Sequence, residues 1–320
     1  MPAMRYALMT EPQQGISYDE ILALARTAED AGLEAFFRSD HYASFPGESG
    51  LPTTDAWATL AGLARETTSI RLGTLVSPVT FRIPGSLAKV IQTFDEMSGG
   101  RIEAGFGAGW NEDEHAQLGI PFPSLGERYD MLAEELAILH GLWTEDDGWS
   151  FSGDHWQVRG SKHHGEIARE GRRHPHVIVG GKGLPRMSEL VARYADEFNL
   201  ISASPDAVPA AYGRVRAACE VVGRDPDELV YSAMTGVLVA ETEDDLRTRV
   251  SDLMTALGQG EADADAWLAE RRQRWIMGAP DEARQRVMMF EREGTQRIML
   301  QDFLPRDLDH VRLMGRIFSA

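Results

Sequence analysis

Eight times along the 320-residue chain a short apolar run gives way to a longer stretch with helical spacing. The runs occupy residues 5–9, 35–39, 71–76, 101–107, 176–180, 198–201, 230–239 and 296–301. Neighbouring parallel strands need a crossover connection, and a helix usually supplies it. Eight such units are the number that closes a parallel (β/α)8 barrel. The rhythm therefore predicts an α/β fold, one TIM-barrel domain over residues 1–320, with its chemistry at the C-terminal ends of the strands.

Between the runs, residues 18–31 place Ile21, Leu22, Leu24, Ala25 and Ala28 on one helical stripe that stops at Gly32. Further helices are expected over 53–67, with Thr53, Thr54 or Asp55 as cap, and over 86–97, 182–194, 205–222, 243–257, 280–293 and 308–318. Another is expected over 125–143, where Ser124 and Glu127 have capping-box spacing. Residues 144–175 are polar, aromatic and Gly-rich and break the rhythm. They read as an insertion between strands four and five, with a small hairpin pairing 149–151 with 155–158. Residues 260–277 read as an extra helix.

The balance of 32 basic and 50 acidic residues gives a net charge of −18, which argues against nucleic acid or an anionic membrane as partner. No run approaches the ~20 apolar residues of a membrane helix, and residues 1–6 do not read as a signal peptide. The single cysteine, Cys219, suits a reducing cytoplasm, and its place in the apolar-periodic run 210–222 marks it as a small buried hydrophobe.

Two glycine clusters sit where a strand turns into a helix. The first, Gly105-Phe106-Gly107-Ala108-Gly109-Trp110-Asn111-Glu112, ends run four. Glycines there admit a ligand to the backbone, and the first amides of a helix attract anions. The dinucleotide fingerprint fits poorly, because its acid belongs about 20 residues further on. The second, Val179-Gly180-Gly181-Lys182-Gly183, ends run five and adds the positive charge of Lys182. Two such clusters on adjacent strands point to a phosphate-bearing cofactor.

Run two ends in Ser39-Asp40-His41, polar groups at the catalytic rim. His41 could exchange a proton near neutral pH, or the pair could only tie down a loop. Residues 159–176 hold Arg159, Lys162, Arg169, Arg172 and Arg173 against Glu166 and Glu170, a basic stretch in an acidic chain. They also hold His163, His164, His174 and His176, but the spacing matches no zinc pattern, so no metal is expected. No nucleophile-elbow or Ser–His–Asp order is present.

At these residues the chain resembles the bacterial luciferase-like monooxygenase superfamily, and within it the branch that uses the deazaflavin coenzyme F420. The likeness runs nearly the whole length. It is carried by Arg38-Ser39-Asp40-His41, by residues 71–78, 100–112 and 119–123, and by Glu127-Arg128-Tyr129. Val177-Ile178-Val179-Gly180-Gly181, residues 192–199 and Gly278-Ala279-Pro280-Asp281-Glu282 complete it.

The resemblance implies hydride transfer between the deazaflavin and a small-molecule substrate. Asp40 would meet the polar edge of the ring, with Ser39 beside it, and His41 would lie near the reacting face as proton donor or acceptor. A non-proline cis peptide, by position Leu75-Val76, would back the ring. Gly107, Ala108, Gly109 and Asn111, with Gly180, Gly181, Lys182 and Gly183, would line the pocket and hold the phosphate. The basic stretch 159–176 would touch the acidic tail. Sugar-phosphate dehydrogenases of this branch carry an acid where Trp110 stands, so Trp110, Phe45 and Phe81 suggest a more apolar substrate pocket. The alternatives are a flavin mononucleotide (FMN)-dependent monooxygenase fed by a partner reductase, and a flavin- or deazaflavin-binding protein without turnover. A separate cofactor-reducing enzyme is an implied indirect partner, and homodimers are common in this superfamily.

Overall fold

The computed structural model describes residues 3–162 and 174–319. Eight parallel strands make the barrel: β1 (Arg5–Thr10), β2 (Ala35–Arg38), β3 (Arg71–Thr74), β4 (Ile102–Gly107), β5 (His176–Gly181), β6 (Glu197–Leu200), β7 (Val230–Val239) and β8 (Arg297–Asp302). Each pairs with its neighbour in sequence, from β1 through to β8. The cylinder closes where β8 returns to β1, with Met9 opposite Gln301.

The helices are α1 (Tyr18–Asp30), α2 (Ala56–Glu66), α3 (Pro84–Ser98), α4 (Glu112–Leu118), α5 (Leu125–Thr144), α6 (Pro185–Tyr194), α7 (Val208–Val221), α8 (Glu243–Ala256), α9 (Ala264–Arg272), α10 (Pro280–Arg292) and α11 (Leu308–Phe318). Of the three candidates, Asp55 caps α2, accepting from the Ala58 amide at 2.8 Å. Ser124 caps α5 through the Glu127 amide, but the Glu127 side chain makes no return bond, so half the expected capping box forms. The full box belongs to Ser17 and Glu20 at α1.

Three expectations shift. The helix over 205–222 opens as a 3-10 turn, Pro205–Ala207, before α7. The helix over 260–277 shortens to α9, after which Ile276–Gly278 pairs beside the end of β7. Ile276 and Met277 are buried there, so the barrel takes the apolar end of the segment as a ninth short strand. The insertion hairpin is shorter than expected, pairing Phe151–Ser152 with Gln157–Val158. His163, His164, Arg169, Arg172 and Arg173 lie outside the described residues. No helix among the described residues is long and apolar enough to cross a membrane.

Most of the apolar core lies between strands and helices, and Cys219 is buried in it. Inside the barrel, Ala7, Met9, Ala35, Phe37, Leu75, Ile178, Met234 and Met299 form a second core with Val76 and Ile201 packed on it. Beneath them, towards the N-terminal ends of the strands, Arg297 is fully buried with Glu103 and Glu197. Its Nη1 lies 2.6 Å from Glu103 Oε2 and 3.1 Å from Glu197 Oε2. Two carboxylates in that setting require a counter-charge.

Candidate active site

The C-terminal end of β2 is held by two buried polar networks. In the first, the fully buried Arg38 guanidinium binds the Ser39 carbonyl at 3.0 Å and the Thr54 hydroxyl and carbonyl at 2.9 Å each. This ties the strand end to the far side of the loop that follows. In the second, Asp40 Oδ2 accepts from Ser77 Oγ at 2.6 Å and from Arg82, while Oδ1 accepts from Arg82 Nη2 at 3.2 Å. Arg82 also binds Tyr42 and Asp55, and Trp57 Nε1 donates to Ser77. Burial favours the neutral form of the Asp55 carboxyl, but Arg82 and Tyr42 bring its pKa below the ordinary value.

Asp40 is 1% exposed and both its oxygens are committed. It fixes the end of β2 against Ser77 and Arg82, in the segment after β3. Ser39 is likewise buried, its hydroxyl donating to Gln13 at 2.7 Å.

His41 points into a different environment. Its Nδ1 lies 2.9 Å from Glu114 Oε1, and the other oxygen of Glu114 accepts from the Tyr42 amide at 3.0 Å. Glu114 stands on α4 and its side chain is 1% exposed. The sequence reading missed this residue. Its only signal was its place one turn into the helix opened by the first glycine cluster. Among the described residues Nε2 of His41 has no hydrogen-bond partner, and the ring is partly open to solvent.

Phe45 and Trp110 meet the imidazole edge-on, with ring centroids 4.5 and 5.7 Å away, and meet each other at 5.2 Å. Trp110 is 66% exposed, a large apolar surface beside a titratable ring. Phe81 is not part of this trio. It stacks on Tyr42 at 4.6 Å and leans on His115, whose nitrogens face Thr80 Oγ1 and the Asn111 carbonyl.

The two glycine clusters lie side by side on the same rim, because β4 and β5 pair in register with Phe106 opposite Val179. Between them stands Val76, which follows a cis peptide at Leu75–Val76, as expected. A Cβ added at Gly107 would approach Val76 Cγ2 to 2.6 Å, and one at Gly180 would approach Cγ1 to 2.9 Å. These glycines therefore make room for Val76 at the top of the inner core. Ala108 is buried, its carbonyl bound by Arg128 Nε at 3.0 Å.

The second cluster opens α6, whose N-cap, Leu184, offers no side-chain bond. Gly183 has φ +59, which a side chain would strain. The carbonyls of Lys182 and Gly183 are turned to Arg214, at 3.3 and 2.5 Å. A trans peptide points its N–H opposite to its C=O, so the amides of Gly183 and Leu184 face away from Arg214. Together with the Arg186 and Met187 amides of α6, whose first residue Pro185 has no N–H, and the exposed Lys182, they form a donor set suited to a phosphate.

Glu103, His176 and Glu197, at the barrel base, have ligand atoms within 4.8 Å of one another. Arg297 supplies the cation there. Burial alone would raise both carboxyl pKa values, but the charges of Arg297 and His176 hold them below the usual range. His176 is raised in turn, because the bond to Glu197 and the charge of Glu103 outweigh its burial.

The family model described as luciferase-like monooxygenase matches residues 4–298. The chain belongs to that family. An uncharacterised protein from Mycobacterium tuberculosis is 31% identical over 198 residues, 54% of this chain and 64% of that protein. The match thus spans less than two thirds of that relative's length. The F420-dependent glucose-6-phosphate dehydrogenase of Nakamurella multipartita is 30% identical over 235 residues, 71% of this chain and 66% of that one. Among solved structures, an F420-dependent secondary alcohol dehydrogenase holding an F420–acetone adduct superposes with a TM-score of 0.79. It is 18% identical and covers 99% of this chain and 98% of its own, a likeness of fold.

Proposed function

We propose that this luciferase-like protein is a deazaflavin (coenzyme F420)-dependent oxidoreductase that moves a hydride between the cofactor and a small organic substrate. The observation that carries the reading is the pairing of His41 with the buried Glu114 on the rim that also presents the α6 amides. Relatives named F420-dependent dehydrogenases support the choice of cofactor. Gly180, Gly181, Lys182, Gly183 and the α6 amides would hold the phosphate, and Gly107, Ala108, Gly109, Asn111, Leu75 and Val76 would line the ring pocket. Bound there, the deazaflavin supplies the two-electron hydride chemistry, which the protein itself lacks.

The chain's own residues orient, shield and move a proton. Glu114 accepts at Nδ1, so neutral His41 keeps its proton on that nitrogen and presents Nε2 as a base. Protonated His41 presents Nε2–H and gives that proton to a substrate oxygen or nitrogen. The carboxylate of Glu114 stabilises the imidazolium in either direction of the reaction. Asp40, with Arg82 and Ser77, acts as a positioning group. Trp110 and Phe45 wall the space beside His41 with apolar surface, which favours a substrate body other than a sugar phosphate. A second enzyme must return the deazaflavin to its starting redox state for turnover to continue.

The reading is tested by titrating the protein with F420 and with FMN and following fluorescence quenching. Saturable F420 binding well below the FMN dissociation constant is expected. The opposite order overturns the proposal in favour of a flavin-dependent monooxygenase. His41→Ala should then leave F420 affinity nearly unchanged while turnover falls; a collapse of affinity would make His41 a binding group.

A further inference from the structure

Next to the second glycine cluster along the rim lies a cavity of about 260 Å3 between the ends of β6 and β8, the middle of β7 and the α9 segment. Its walls include Ser202, Thr235, Arg271, Arg274, Trp275 and Gln301. Three features set it apart from an ordinary surface dimple. Its lining includes residues at the C-terminal ends of β6 and β8, the side where a barrel of this kind keeps its ligands. The Trp275 indole lies flat on Phe303, centroids 5.5 Å apart, and covers the Gly236 backbone, where a Cβ would collide with it. Ser202 stands at φ +47, a conformation rare for a residue with a side chain.

One of the two guanidinium groups at the cavity is unpaired among the described residues. Arg271 lies 3.3 Å from Glu270 and stacks on Trp267 with 3.9 Å to the ring centroid. The Arg274 side chain is exposed and has no hydrogen-bond or ion-pair partner among the described residues. Among the lining residues two guanidinium groups face one carboxylate, Glu270, and the Glu11 carboxylate stands behind the wall, bonded to Gln301. Burial lowers the pKa of Arg271; Glu270 opposes that shift and the neighbouring Arg274 adds to it. An incoming anion would relieve that repulsion.

The cavity is joined to the His41 strand by side chains. Gln301 Nε2 donates to Glu11 Oε1 at 2.6 Å, Gln13 donates to Glu11 Oε2 at 2.9 Å, and Ser39 donates to Gln13 Oε1 at 2.7 Å. β8, β1 and β2 are successive strands, so two inter-strand steps put Gln301 about 10 Å from the corresponding point on β2.

We propose that this cavity holds the carboxylate of an organic-acid substrate, with Arg274 as its counter-ion. The proposal deepens the hydride-transfer reading and takes its reacting centre from it. The carboxylates of Glu270 and Glu11 beside the two guanidinium groups favour a monoanion, since a phosphate dianion would bring its second charge up against them. The substrate would carry its acid group several bonds from the carbon that exchanges the hydride.

The test needs no cofactor. Cyclohexanecarboxylate, cyclohexanecarboxamide and cyclohexyl phosphate are titrated into the protein alone while tryptophan emission is followed, with Trp275→Phe identifying the responding indole. The carboxylate should quench saturably, and the near-isosteric amide should not. Arg274→Met should weaken carboxylate binding about tenfold or more, as expected for loss of a charge-assisted contact, and Arg274→Lys should restore part of it. Equal binding of acid and amide, or an unchanged Arg274→Met protein, overturns the proposal. Tighter binding of the phosphate than the carboxylate overturns the charge argument and with it the substrate class. Carboxylate binding by a protein that fails to bind F420 would instead reject the deazaflavin reading and leave this site standing.

Discussion

Arg297→Met should expose the electrostatics at the barrel base. The guanidinium is fully buried and touches Glu103 and Glu197, both of which are also buried. Methionine fills similar space but leaves two carboxylates with only His176 and, for Glu103, the flanking Arg71. Breaking a buried pair by removing one partner costs about 3–5 kcal/mol, a large share of a typical ~5–15 kcal/mol stability.

The pH dependence gives a sharper signature than the size. In the native protein both carboxyl groups have depressed pKa values. Their stabilisation is present above the unfolded carboxylate pKa and is lost as pH falls through the folded one. His176, with a raised pKa, stabilises fully below its unfolded value near 6.5 and loses that contribution as pH rises through the folded one. Without Arg297 the carboxylates prefer to be neutral, so folding takes up about one proton. One proton corresponds to a slope of about 1.4 kcal/mol per pH unit. The deficit of the variant should therefore be largest at pH 8 and shrink towards pH 6. Urea unfolding at pH 6, 7 and 8, with m-values checked for constancy, measures it. A deficit that stays the same across that range would refute the assignment of charge at the barrel base. Should Arg297→Met fail to fold, Arg297→Lys keeps the charge, gives up part of the guanidinium's contacts to Glu103, Glu197 and Glu34, and should show a smaller deficit of the same sign.

Glu114→Gln keeps shape but sets an amide donor against either His41 or the Tyr42 amide; losing a charge-assisted bond of about 1.5–3 kcal/mol should lower kcat about ten- to a hundredfold. F420 affinity by fluorescence should be unchanged, and an unchanged kcat would remove Glu114 from the proton path. Burial pushes the Glu135 carboxyl up to about 8, and its Oε2 has no partner among the described residues. Because that folded value is raised, its cost grows as pH climbs from the unfolded value of 4.5 towards 8, so Glu135→Gln should raise Tm at pH 8 and hardly at pH 5. Equal gains at both would contradict a neutral buried acid. Gly107→Ala drives a methyl into Val76 and should destabilise by about 1–3 kcal/mol in urea unfolding. Gly107→Ala combined with Val76→Ala should recover part of that, and strict additivity of the two costs would show that the residues do not touch.

The barrel was legible because eight alternations of period, read with glycine stops and caps, leave few other ways to bury so many apolar runs. The same rhythm located His41 and both glycine clusters, since strand ends follow directly from the runs. Side-chain partnerships were not legible. Asp40 lies 42 residues from Arg82, and His41 lies 73 residues from Glu114, so only the closed cylinder brings them together. Phe81 shows the same limit: it stacks on Tyr42 and leans on His115 instead of joining Phe45 and Trp110 beside His41.

The sequence by itself determined the eight barrel strands, their order, and the rim on which the chemistry must lie, because apolar periodicity is a local property that burial enforces. Tertiary structure alone decided that Glu114 would hold His41, that Arg297 would neutralise the barrel base, and that Val76 would occupy the space left by two glycines. Those outcomes depend on distances between segments far apart in the chain, and charge and contact act through space without regard to sequence separation.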